Sequence, residues 1–388
     1  MFEQIITGTK IIGTDHLAAD DLDRLIFYCK GAAANVCVIM DNNSLKLRDE
    51  MLADLQKIRK VEVLNQVFPN PKVEDIMSMV NALEGKDINI VIGIGGGSSL
   101  DSAKGVAVIL SNGGDLDDYL GASATRKIEK RDVQLVLIPT TAGTGSEVTK
   151  VGVYTSRSGR KYTLGSPLMQ ADIALLVTDY VKDLPPAITA STAFDALSHA
   201  LETLWNKNAT PLTDRMAIES AVHILQWMEI AYDSSISGGT AGRKEMLEGA
   251  CMAGTAFNIT GTAAVHALSF IFSEEWHVPH GVACAFTLED VFQLNLRDEK
   301  TRMRLVQIAR KLFDGDTEEA LLSSLLDRII TLKKKFGLPL SLKDLNIELS
   351  DEQVNELFDK SLDDPKMKNN SVKVDSRIIF ELIKGKMK

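Results

Sequence analysis

The chain has 388 residues, 45% of them hydrophobic and 25% charged, with a formal net charge of -10. That composition argues against disorder, and the acidic excess argues against wrapping a nucleic-acid backbone or hugging an anionic membrane, since both demand basic patches. A small-molecule partner is therefore expected, and because single cores usually stop growing at this length, so are two domains.

Four short apolar, β-branched runs in the first half read as buried parallel strands: residues 36–40, 88–94, 133–138 and 173–177. Amphipathic stretches over 73–83 and 100–110 alternate with them, the pattern of a doubly wound, mostly parallel, Rossmann-like sheet. Residues 151–154 and 160–163, separated by Ser-Arg-Ser-Gly, predict an antiparallel hairpin. After Leu184-Pro185-Pro186 the text changes to Ala-, Leu-, Met- and Glu-rich periodic stretches, which sets a boundary between an α/β domain over 1–184 and an all-α domain over 185–388. Cys29, Cys37, Cys251 and Cys284 have no CxxC spacing and sit in apolar surroundings, as reduced thiols of a cytoplasmic protein do. No apolar run approaches the roughly 20 residues of a membrane span.

Two loops carry phosphate-binding chemistry. Gly93-Ile-Gly95-Gly96-Gly97-Ser98-Ser99 follows a strand and opens a helix, where free backbone N–H groups and the positive end of the helix dipole can hold a pyrophosphate. Ser98 stands where the third glycine of G-x-G-x-x-G would be, so the motif alone also fits a plain strand-to-helix turn. Asp101 and Lys104 in the first turns can anchor this loop or contact phosphate. Thr140-Thr141-Ala-Gly143-Thr144-Gly145 is a second such loop after another strand, and two together fit a dinucleotide better than a chance turn. Asp41, closing the strand at 36–40, can accept the hydroxyls of an adenosine ribose and repel a 2′-phosphate, which favours NAD(H) over NADP(H); a turn aspartate before Asn42-Asn43 is the plainer alternative.

The second half offers metal ligands. Asp195 and His199 lie four residues apart in a helix-forming run and share one face. His266 sits in an apolar segment, and His280 follows Pro279, so these two come from successive elements. One carboxylate oxygen and three imidazole nitrogens suit ferrous iron, zinc, manganese or cobalt. His277 reads as structural, and nothing singles out His16 or His223.

Taken together, Pro69-Asn70-Pro71, the run from Gly95 to Lys104, the run from Pro139 to Thr149, the Asp195/His199 pair and His266 with Pro279-His280-Gly281 resemble the iron-containing, or group III, alcohol dehydrogenases over nearly the whole chain. The resemblance implies Asp195, His199, His266 and His280 as ligands of a divalent metal, Fe2+ foremost, with Zn2+ or Mn2+ as alternatives. It places Asp41, Gly95, Gly96, Gly97, Ser98, Asp101, Thr140, Thr141, Thr144 and Lys161 where the family contacts its nicotinamide dinucleotide. It also implies a homodimer or larger homo-oligomer that acts on a small aldehyde or alcohol.

One departure stands out. Many members carry a further histidine four residues after the third ligand, and this chain has Phe270 there. With the segment from His280 to Leu288, it resembles a branch that reduces short aldehydes bearing an anionic head, such as sulfoacetaldehyde or phosphonoacetaldehyde. Lys150, Val153, Phe257 and Phe270 are the substrate-side residues of that reading, with Lys368 or Asn369 as further groups to meet an anion. The alternatives are a polyol dehydrogenase of the glycerol type and a non-catalytic NAD-binding sensor in which the metal staples the helical domain.

Overall fold

Six parallel strands form the central sheet of the first half, in the order β1-β8-β5-β4-β2-β3. They are β1 (Lys10–Thr14), β2 (Val36–Asp41), β3 (Val61–Val67), β4 (Ile90–Gly95), β5 (Gln134–Pro139) and β8 (Ile173–Val177). The computed structural model describes residues 8–43 and 45–387. Because strand side chains alternate faces, Cys37, Ile39, Val91, Leu135 and Leu137 build one core with helices α3 (Val73–Ala82) and α4 (Gly97–Asn112). Val36, Val38, Ile90, Ile92, Ile94, Val136 and Ile138 build the other with α1 (Ala19–Lys30) and α2 (Lys46–Ile58). Burial on both faces explains why the central strands read as uninterrupted apolar runs. Strands β6 (Val151–Thr155) and β7 (Lys161–Gly165) form a separate antiparallel pair, the expected hairpin.

Two strands went unanticipated. β1 and β3 are the sheet's edges, and their sequences, KIIGT and VEVLNQV, mix exposed polar residues with apolar ones. An edge strand lacks the continuous burial that gives a run its apolar text.

The chain divides into two compact units, residues 1–183 and 184–388. The second is built of helices: α5 (Pro186–Leu204), α6 (Pro211–Ser237), α7 (Arg243–Thr260), α8 (Ala264–Trp276), α9 (His280–Asn295), α10 (Glu299–Leu312), α11 (Glu318–Lys335), α12 (Asp351–Phe358) and α13 (Ser376–Gly385). No single helix among the described residues is long and apolar enough to cross a membrane.

Candidate active site

In the second unit, α5 opens with Pro186 at its first position, fixed at a helical φ, and runs through an Ala- and Leu-rich segment that is almost wholly buried beyond Ala193. Asp195 and His199 therefore lie on one inward face, and Glu202, seven residues after Asp195, lies on the same side. α7 ends at Gly261, whose φ of 76° reverses the chain, and the turn is clamped by amide bonds from Asn206 to the Gly261 carbonyl (3.0 Å) and from Asn369 to the Thr262 carbonyl (2.9 Å). α8 then begins and carries His266. His277, left-handed at φ 56°, stops α8, and Pro279 sets the start of α9 at His280.

These elements bring four side chains together. Oδ1 of Asp195 lies 3.5 Å from His266 Nε2, 3.6 Å from His280 Nε2 and 3.9 Å from His199 Nδ1. Two donors about 2.1 Å from one ion, at a tetrahedral angle, are separated by about 3.4 Å. Asp195 Oδ1 and His266 Nε2 are buried, lie 3.5 Å apart, too far for a good hydrogen bond, and find no other partner, which a shared cation explains and an apolar core does not. Burial alone would raise the Asp195 carboxyl, yet His199, His280 and His266 hold it well below the usual carboxylate range. The residues thus fit a divalent metal.

Two participants escaped the reading of the sequence. Glu202 is fully buried, and its Oε1 accepts the N–H groups of Val265 (2.6 Å) and His266 (3.2 Å), while Oε2 pairs with His266 Nδ1 at 2.5 Å. One carboxylate caps the N-terminus of α8, which has no side-chain cap of its own, and commits Nδ1 so that Nε2 faces Asp195. Its only sequence signal is the seven-residue spacing from Asp195. The second is Cys284, one turn after His280: Asp195, His266, His280 and Cys284 form a cluster with metal-ligating chemistry whose donor atoms lie within 4.8 Å of one another. His199 sits beside this cluster, its ring stacked on Phe257 (4.1 Å between centroids) and on His266 (4.4 Å). Phe270 is 6.2 Å from the His280 ring, and Lys366 Nζ lies 3.9 Å above the Phe270 ring. Asn369 donates to the Thr262 carbonyl, and the Lys368 carbonyl accepts from Lys207 Nζ. His16 pairs with Asp179, and the His223 ring lies 6.4 Å from that of Trp227.

In the first unit, β4 ends at Gly95 and α4 begins at Gly97 with no side-chain cap, leaving the backbone N–H groups of that turn for a ligand. Gly95 has φ 154°, and a Cβ there would lie 2.2 Å from Ser99 Oγ and 3.0 Å from Asp41 Oδ2, so only glycine fits. The second loop closes on the first: Thr140 N donates to the Gly95 carbonyl at 2.9 Å, and Thr141 and Thr144 lie against Gly96 and Gly97. Asp41 accepts from Asn43 N (2.9 Å) and Arg48 Nη1 (3.3 Å) on Oδ1, and from Ser99 Oγ on Oδ2 (3.4 Å). Ser98 Oγ accepts from Asn70 N, which ties in the Pro69-Asn70-Pro71 segment.

Asp101 and Lys104 both bond to the segment that follows β5. The Asp101 carboxylate accepts from Ser146 Oγ (2.7 Å) and Val153 N (2.9 Å). Lys104, fully buried, donates to Ser146 Oγ, Thr149 Oγ1 and the Val151 carbonyl, and burial pulls its ammonium down to about 8. Both bind α4 to the segment after β5. Lys150 precedes β6, whereas Val153 and Lys161 lie within the β6–β7 hairpin, all three only partly buried.

The family model described as iron-containing alcohol dehydrogenase matches residues 16–178, and its C-terminal counterpart matches residues 189–387. The chain belongs to the iron-containing alcohol dehydrogenases. Among curated relatives of this alcohol dehydrogenase, long-chain-alcohol dehydrogenase 1 of Geobacillus thermodenitrificans is 34% identical over 70% of the chain and 69% of the relative. The 1-propanol dehydrogenase PduQ of Citrobacter freundii is 32% identical over 76% of the chain and 75% of the relative. Among solved structures, sulfoacetaldehyde reductase from Bifidobacterium kashiwanohense in complex with NAD+ superposes with a TM-score of 0.86 at 27% identity, covering 98% of this chain and 97% of that one.

Proposed function

We propose that this alcohol dehydrogenase catalyses the reversible, NADH-dependent reduction of a short-chain aldehyde to the primary alcohol at a divalent metal held by Asp195, His199, His266 and His280. The observation that carries the reading is the convergence of three imidazoles on Asp195 Oδ1, with two buried donor atoms lacking any hydrogen bond. When bound, the metal supplies Lewis acidity toward the carbonyl oxygen and the reduced nicotinamide supplies hydride. Glu202 keeps the His266 ring turned so that Nε2 faces the centre. The Gly95-Gly96-Gly97 turn offers backbone N–H groups to the dinucleotide's phosphates, and Thr141 and Thr144 border it. Phe270 has no proton to give, so a water or the nicotinamide ribose hydroxyl supplies it to the product oxygen.

For the substrate we infer a C2 aldehyde with an anionic head, of the sulfoacetaldehyde or phosphonoacetaldehyde kind. One observation supports this: the NAD+-bound structural neighbour is a sulfoacetaldehyde reductase; the Lys366 ammonium over Phe270 is paired with Asp364 and would have to exchange that partner for the anionic head. The reading includes a cytoplasmic homodimer or larger homo-oligomer, in keeping with four free cysteines and with the apolar Ile11 exposed on the edge strand β1. A screen of NADH oxidation by iron-loaded, anaerobically purified protein against plain, hydroxylated, sulfonated and phosphonated C2 to C4 aldehydes tests the choice. Highest kcat/KM on an anionic aldehyde supports it; ready oxidation of glycerol with no aldehyde reduction replaces it with a polyol dehydrogenase. NADH binding without any turnover replaces it with the sensor.

Asp41 sets the expected cofactor preference. Asp41→Gly removes a carboxylate that would repel a 2′-phosphate and frees Nη1 of Arg48, whose guanidinium stays held by Asp49 and the Asn43 carbonyl. The ratio of kcat/KM for NADPH over NADH is expected to rise by about tenfold or more, ~1.4 kcal/mol, in paired cofactor kinetics. An unchanged ratio removes Asp41 from cofactor selection.

A further inference from the structure

We propose that the Cys284 sulfur is an additional inner donor of the same centre, so that the ion is held by carboxylate, imidazole and thiolate together. This rests on the metal-centred reading above. Cys284 lies four residues after His280 on α9, hence on the same face, and is fully buried. Its Sγ is 3.8 Å from His280 Nε2, and it completes the group whose donors all lie within 4.8 Å of one another. A sulfur at about 2.3 Å and a nitrogen at about 2.05 Å from one ion are about 3.1 Å apart at a right angle and about 3.6 Å apart at a tetrahedral one, so a five-donor centre spans this range. Independently of the cysteine, Asp195 Oδ1 and His266 Nε2 point into the same group without a hydrogen-bond partner, on side chains only 4% and 5% exposed. The sulfur therefore borders a place that two buried donors already converge on.

Coordination has a definite proton balance: the metal–sulfur bond forms as the thiol proton leaves to solvent, with no change of oxidation state. It also has a consequence for metal choice. A thiolate donor favours zinc, cobalt or ferrous iron over manganese or magnesium, whereas carboxylate and imidazole alone discriminate less.

Anaerobic titration of metal-free protein with Co2+ tests the assignment, with absorption spectra and bound cobalt per chain measured for wild type, Cys284→Ser and Cys284→Ala. The wild type is expected to show a thiolate-to-cobalt charge-transfer band. Both variants should bind cobalt and lack the band, and their affinity for Zn2+ should fall by about tenfold or more relative to Mn2+, the scale on which residues around a metal alter affinity. Cobalt bound by wild type without the band, or a band that survives in either variant, overturns the role of Cys284 and leaves the metal centre standing. Failure of the wild type to bind cobalt overturns both. The serine variant keeps the side-chain size, and the wild-type spectrum decides even where the alanine variant does not fold.

Discussion

Asp195→Asn is expected to abolish stoichiometric metal binding and to lower kcat/KM by about a thousandfold or more, ~4 kcal/mol of lost transition-state stabilisation. Three ring nitrogens converge on this carboxylate, at 3.5, 3.6 and 3.9 Å from a single oxygen. The amide has the same size and stays buried, but it replaces an anionic donor with a neutral one and can turn N–H groups toward the imidazoles. The fold should survive, because the substitution creates no cavity and Asp195 belongs to a well-packed helix. Elemental analysis of the purified variant and steady-state kinetics at saturating metal check both halves. Full metal content with wild-type turnover would show that these imidazoles surround Asp195 for structural reasons alone.

The second large effect is steric and comes from a residue without a side chain. A Cβ at Gly281 would lie 2.1 Å from the Ser191 carbonyl oxygen and 2.7 Å from its carbon, so α9 approaches α5 backbone against backbone. Gly281→Ala must push the helices apart, an overpacking cost of about 1–3 kcal/mol. His280 is the adjacent residue and Asp195 is one turn along from Ser191, so the displacement opens the donor set. Metal affinity should fall by about tenfold to a hundredfold, as when supporting residues of a site are lost. Thermal melts and competitive metal titrations measure the two quantities, and Gly385→Ala, where nothing lies within 4 Å of an added Cβ, is the control. Equal melting temperatures and equal metal affinity for Gly281→Ala and wild type would show that the contact between α5 and α9 is soft.

Much of the fold was legible because it is local. The apolar runs over β2, β4, β5 and β8 announce strands buried on both faces, and Gly95-Gly96-Gly97 announces the turn into α4. β1 and β3 were not legible, since an edge strand carries Lys, Glu, Asn and Gln where a central one carries Val and Ile. For the site, the spacing of Asp195 and His199 needs only helical periodicity. Glu202 and Cys284 lie at equally regular spacings, yet neither could be picked out: nothing local says that Glu202 faces the start of α8 or that the Cys284 sulfur faces His280.

The amino-acid order by itself therefore determined the alternation of strands and helices, the change of character near Leu184 and the set of candidate donor residues, because periodicity, glycine and proline act within a few bonds of their own positions. Tertiary structure alone decided which of those donors meet, that Asp101 and Lys104 bond to the loop after β5, and that a glutamate and a cysteine complete the neighbourhood of Asp195. The reason is that a ligand set is a property of distances across α5, α8 and α9, and those distances follow from backbone contacts such as Gly281 on Ser191, which no single segment encodes.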